Sequence, residues 1–92
     1  MLQNKKGLIN MKLNETVEMM NSPEYKDRFK AEYLQLKIRI DGLQVMLDKY
    51  AIGTLPFTPT SSYDLLNGQL KSMKMYASYL EERAHIEGIC LV

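Results

Sequence analysis

Tyrosines interleaved with basic residues are the main chemistry this sequence offers. Lys26, Lys30 and Lys37 fall within about 40° of one another on a helical wheel, with Tyr33 among them, and Arg28 and Arg39 form a second basic flank. A ring that stacks on a base, beside cations that meet phosphate, can hold a nucleotide. The same residues also read as an ordinary solvated face. Glu24–Arg28, Arg28–Glu32 and Lys37–Asp41 are i,i+4 pairs, of a kind worth about 0.2–0.5 kcal/mol each. Tyr25 stands apart from the other tyrosines because it follows Ser22-Pro23 at the expected start of a helix. The first N–H groups of a helix have no intrahelical partner and attract anions. Tyr25, that helix end and Arg28 make a base-plus-phosphate contact conceivable; the plain alternative is a core ring anchoring the N-terminal segment.

Catalysis has little to work with. His85 is the only histidine and Cys90 the only cysteine, so there is neither a zinc-ligand spacing nor a Ser-His-acid set. Glu81 and Glu82 near His85 read as a solvated helix end, and Gly53-Thr54-Leu55-Pro56 lacks the glycines and lysine of a phosphate loop. The expectation is a binding protein without enzyme activity, metal or cofactor.

Composition bounds the rest. The chain has 92 residues, 46% hydrophobic and 25% charged, with a net charge of +1. That apolar content and low charge exclude a disordered chain. The near-neutral charge also argues against binding duplex nucleic acid. A domain this small buries only about 60–65% of its unfolded surface, so self-association is expected. No apolar run reaches the length of a membrane span. Met1 to Leu13 holds three lysines and no acid; it reads as a flexible arm and not as a secretory leader. One cysteine allows no internal disulfide, which suits a reducing compartment.

The elements that must position these residues are helices. Ser22 as cap, Pro23 at the first helical position and Glu24 beside it predict a helix over 23–50. Ala51 to Ser61, with Gly53, Pro56 and Pro59, reads as a loop. The Ser61-Ser62-Tyr63-Asp64 capping spacing opens a helix over 61–87 that stops at Gly88. A short helix is expected over 15–21, capped by Asn14. Tyr25, Phe29, Leu36, Ile40, Leu43 and Leu47 step by threes, fours and one seven, as do Leu66, Leu70, Met73, Ala77, Leu80 and Ala84. These stripes predict an all-α fold: an antiparallel two-helix hairpin with a short N-terminal helix, in one domain over 14–92. Gly42 then lies level with Gln69 and Gly68, which suggests close packing or a notch for a ligand. Leu34, Ile38 and Val45 form a second apolar face, and Met75, Tyr79 and Ile86 lie off the main stripe of the second helix. Val17 and Met20 can cover part of the former; the rest calls for another subunit.

The pattern Tyr25-x-x-Arg28-x-x-x-Glu32-x-x-x-Leu36-x-x-Arg39-Ile40-x-x-Leu43, resumed as Leu66-x-x-Gln69-Leu70-x-x-Met73-x-x-Tyr76-x-x-x-Leu80-x-x-Arg83, resembles the helical hairpin of phage anti-CBASS cyclic-nucleotide sponges. A related hairpin occurs in Thoeris anti-defence sponges, which capture cyclic ADP-ribose isomers. The resemblance covers Pro23 to Ile86. It implies a homohexamer that binds cyclic di- or trinucleotides, such as cGAMP, without cleaving them, in the cytoplasm of an infected bacterial host. In such sponges a tyrosine early in the first long helix stacks on a base, and Tyr25 is the matching position. A basic residue further along meets phosphate, and Arg39 matches it, with Lys37 beside it. Arg28 and Lys26 complete the expected ligand set, in pockets formed between subunits. Where the family tends to carry a polar or basic residue before the leucine, this chain has Gly42, so the resemblance brings no phosphate contact there. Two other readings use the same residues. One is a helical interaction module that regulates or inhibits a host protein, with Leu34, Ile38 and Val45 as its surface. The other is a single-strand nucleic-acid binder using the lysine stripe, with steep salt dependence.

Overall fold

Local signals set where each helix begins and ends in the computed structural model, which describes residues 11–91. The chain enters through a 3-10 turn at Leu13–Thr16 that runs into one turn of helix, α1 (Val17–Met20). Two long helices follow, α2 (Tyr25–Ala51) and α3 (Tyr63–Glu87). They pack as an antiparallel hairpin with the N-terminal segment laid across α2, and the described residues contain no strand. Most of the arm expected at 1–13 lies outside the described residues.

Each N-terminus falls near its expected place, with a different cap. Asn14 caps nothing and lies inside the 3-10 turn; the Lys12 N–H donates to Glu15 Oε1 at 2.7 Å instead. Ser22 and Pro23 precede α2. The Ser22 hydroxyl accepts the Glu24 N–H at 3.0 Å and donates to Asp27 at 2.8 Å, building a tight turn that delays the helix to Tyr25. At α3 the cap is Ser62, not Ser61: its hydroxyl accepts the Leu65 N–H at 3.1 Å. α3 stops at Gly88, whose φ of 72° suits a residue without a Cβ.

The hairpin core is the seam the periodicity outlines. Phe29, Leu36, Ile40 and Leu47 meet Leu70, Ala77, Leu80 and Ala84, and Leu47 and Leu80 are almost fully buried. Across the seam, Tyr33 donates to Glu81 at 2.6 Å, Lys74 to Gln44 at 2.8 Å, and Tyr76 to Glu32. At the loop end, the Tyr50 and Tyr63 rings meet edge to face at 5.5 Å.

Two expectations change here. The second face of α2 is covered inside the protomer at Leu34, which is buried, and Ala31 beside it is buried as well. Thr16, Met19 and Met20 lie on that side, with the Met20 sulfur against Gln35 of α2, while Val17 is about half exposed; the fully buried Thr16 accepts a 2.8 Å bond from Gln35. Val45 is exposed, so only the loop-ward part of that face is open. Gly42 and Gly68 mark neither a tight contact nor a notch within the protomer. A Cβ on either would meet no atom within 4 Å, because both face outward. The C-terminal tail folds back, with Ile89 buried and Leu91 packed on the core cluster.

Candidate functional site

The start of α2 and the end of α3 meet at the hairpin end remote from the loop, and a polar-aromatic cluster forms there. Tyr25 extends from the first turn of α2, and its hydroxyl donates to Glu87 Oε1 at 2.8 Å. Arg83, one turn before Glu87 on α3, donates to the Tyr25 oxygen at 3.0 Å and pairs with Glu87 at 3.3 Å. The Arg83 guanidinium also lies 4.9 Å from the centre of the Phe29 ring, which meets the Tyr25 ring edge to face at 6.0 Å. Tyr25 is held by these contacts and remains 48% exposed. Lys26 reaches the Gly88 carbonyl at 3.4 Å, where the α3 dipole favours a cation.

Electrostatics follow from these contacts. Donation to Glu87 raises the Tyr25 pKa above its ordinary value, and Glu87 is lowered by the same bond and then by Arg83. Arg83 is raised, chiefly by its bond to Glu87. With Lys26 and Arg83 against Glu87, the cluster carries a surplus positive charge next to an accessible ring, an arrangement that accepts a planar base with an attached anion.

A second feature lies midway along the hairpin. A groove of about 310 Å³ is lined by Lys37, Ile40, Asp41, Gln44, Lys74 and Glu81, with Ala77 at its floor. Its charges are mixed, two lysines against two carboxylates. Tyr33 is only 9% exposed, so its ring is part of the core and not a stacking platform among the lysines. Its hydroxyl pKa is pushed strongly upward, first by burial and then by donation to Glu81. A smaller hollow of about 170 Å³ at the loop end is lined by uncharged residues, among them Tyr50, Leu55 and Phe57.

The expected ligand residues do not converge within one protomer. Tyr25 and Lys26 share the hairpin end. Arg28 turns back and donates to the Ser22 carbonyl at 2.8 Å, away from the Tyr25 hydroxyl. Lys37 is in the groove, and Arg39 is exposed. From Tyr25 to Arg39 the rise along α2 is about 21 Å. The three expected i,i+4 ion pairs of α2 do not form; among the described residues the one ion pair is Arg83–Glu87. Arg83 and Glu87 are functional candidates that the sequence reading left without a role. The hairpin register, which sets residue 86 level with Tyr25, is the signal that could have found them. Among the described residues, no three His, Cys, Asp or Glu side chains are grouped to hold a metal ion, and no helix is long and apolar enough to cross a membrane.

No curated protein and no solved structure matches the chain. Residues 23–86 match the family model described as Sequestin. That stretch takes in α2, the loop and nearly all of α3, the elements that carry both the aromatic cluster and the groove. With about two-thirds of its length matched in this way, the chain belongs to the Sequestin family.

Proposed function

We propose that this protein is a phage anti-defence sponge that captures cyclic di- or trinucleotide messengers and holds them uncleaved. CBASS-type immunity in the infected bacterial cytoplasm is thereby deprived of its signal. The family name itself denotes sequestration, in keeping with capture rather than turnover. The observation that carries the reading is the Tyr25 ring. It is half-exposed, braced by Phe29, and flanked by the Lys26 and Arg83 cations. Stacking of a base on such a ring contributes about 1–3 kcal/mol, and the cations add charge-assisted bonds to phosphate. Arg28, Lys37 and Arg39 belong to the same proposed ligand set. The separation of Lys37 and Arg39 from Tyr25 along α2 supports sites closed by two copies of the chain, as a homohexamer would provide.

Titration calorimetry with cyclic dinucleotides, cyclic trinucleotides and cyclic ADP-ribose isomers tests the reading and assigns the ligand class. Saturable binding is expected for at least one cyclic oligonucleotide, with the ligand recovered chemically intact after heat denaturation. Binding of cyclic ADP-ribose isomers alone would move the protein to the Thoeris-type signal. Recovery of linear or hydrolysed nucleotide would contradict capture without cleavage.

A further inference from the structure

Two groups of opposite hydrogen-bonding character meet at the Tyr25 hydroxyl. Glu87 accepts from it at 2.8 Å and Arg83 donates to it at 3.0 Å, both from the end of α3. Arg83 Nε also holds Glu87 Oε2 at 3.3 Å. These contacts saturate neither side chain. An ionised carboxylate has about four acceptor positions, and a guanidinium has five N–H donors. Tyr25 takes one position on Oε1 and Arg83 one on Oε2, so each oxygen can accept again. Solvent reaches both side chains, Glu87 being 33% and Arg83 51% exposed. The same contacts hold Glu87 ionised, since its pKa is lowered by the Tyr25 bond and then by Arg83.

A carboxylate is out of place beside a phosphate, because like charges repel. Its position at the rim of a nucleotide platform fits contact with the uncharged part of the ligand, the base. We infer that Glu87 and Arg83 read the edge of the base that the proposed function stacks on Tyr25, and that they select guanine; this rests on that reading and adds its base preference.

A purine is longer than a phenol ring, so a base lying flat on Tyr25 overhangs it. The overhang on the hydroxyl side meets Glu87 and Arg83. Guanine alone among the four bases carries two adjacent donors, N1–H and the N2 amine, which a carboxylate accepts side by side. Its O6, next in line, accepts from Arg83. Adenine and cytosine carry one amine beside a ring nitrogen, so the second carboxylate oxygen would face a lone pair. Uracil sets its one N–H between two carbonyls, and both would face the carboxylate. The sugar joins guanine at N9, remote from the edge being read. That leaves the ring phosphates to Lys26 and to cations of another copy.

Calorimetric titration of the full chain tests this with rings that differ only in a base: cyclic di-GMP against cyclic di-AMP, and cyclic AMP-AMP-GMP against cyclic tri-AMP. The guanine member of a bound pair is expected to bind about tenfold tighter or more, the discrimination of one good bidentate contact. Cyclic di-IMP keeps O6 and N1–H but lacks the N2 amine, and it is expected to fall between; this arm needs no variant. Glu87→Gln keeps the side-chain length and an oxygen for Tyr25, and is expected to remove most of the difference by weakening the guanine ring. A role confined to holding Tyr25 would weaken both rings alike, so an unchanged ratio in Glu87→Gln would overturn the base reading. Equal wild-type affinity for the two members, or a preference for adenine, would overturn it too while leaving capture standing. A chain that binds no member of the panel would overturn capture and base preference together.

Discussion

Tyr25 is held in place yet 48% exposed, which leaves surface for stacking. Its hydroxyl is committed to Glu87 and Arg83, and its ring meets Phe29 edge to face. Tyr25→Ala is expected to weaken cyclic-nucleotide affinity about tenfold or more, the equivalent of a lost stacking contact, while the oligomer survives. Tyr25→Phe keeps the ring and is expected to keep most of the affinity. Calorimetry on the two variants checks both. An unchanged Tyr25→Ala titration would remove this residue from the site. Tyr33, by contrast, belongs to stability. Its folded-state pKa is raised above the ordinary 10.0 by burial and by donation to Glu81. A group raised on folding contributes fully below its unfolded value and loses that contribution as pH rises through and beyond it. Stability is therefore expected to decline above pH 10, and Tyr33→Phe is expected to flatten that decline in denaturant melts at alkaline pH. Glu87 runs the other way. Its pKa is lowered on folding, so its contribution is present above the ordinary carboxylate value and fades as pH falls below it. That contribution is small, because the Arg83–Glu87 pair lies at the surface and is screened by solvent.

At the scale of the helices, the outward glycine of α2 offers a clean measurement. Gly42 lies in the helix interior with open space around the missing Cβ. Gly42→Ala is expected to stabilise the chain by about 1 kcal/mol in denaturant unfolding. Leu80→Ala, removing a side chain 1% exposed, is expected to cost about 2–5 kcal/mol. The hairpin itself was legible in the sequence, because period-3.6 stripes and the Gly/Pro-rich loop are signals spread over many residues. The caps were less legible. Whether Ser61 or Ser62 caps α3, and whether Ser22 caps α2 or bends the chain ahead of it, depends on the dihedral angles of single residues. The short N-terminal segment was expected to cover part of the face at Leu34, but which of its residues do so depends on its register: Thr16 and Met19 join Met20 there. The candidate site was half legible. Tyr25 announced itself by its place after Ser22-Pro23, whereas Arg83 and Glu87 come from the opposite helix and become visible only once the register is applied.

For the whole molecule, the described residues form a protomer of 43 × 28 × 24 Å with an open cluster at one end, a groove at the middle and a smaller hollow at the loop. Ring-shaped anions are captured in the proposed account where two copies close over these features, with Tyr25 from one chain and a distant cation such as Lys37 or Arg39 from another. Affinity and assembly should therefore be linked. A ligand present at a hundredfold excess over its dissociation constant stabilises the bound state by about 2.7 kcal/mol, a gain that thermal melts with and without the ligand are expected to show. The most direct measurement is calorimetric titration of the purified wild-type chain with a panel of cyclic di- and trinucleotides, followed by chromatography of the released ligand. Saturable binding with the cyclic nucleotide recovered whole is the predicted result; a chain that takes up none of the panel, or returns it opened, would contradict the account.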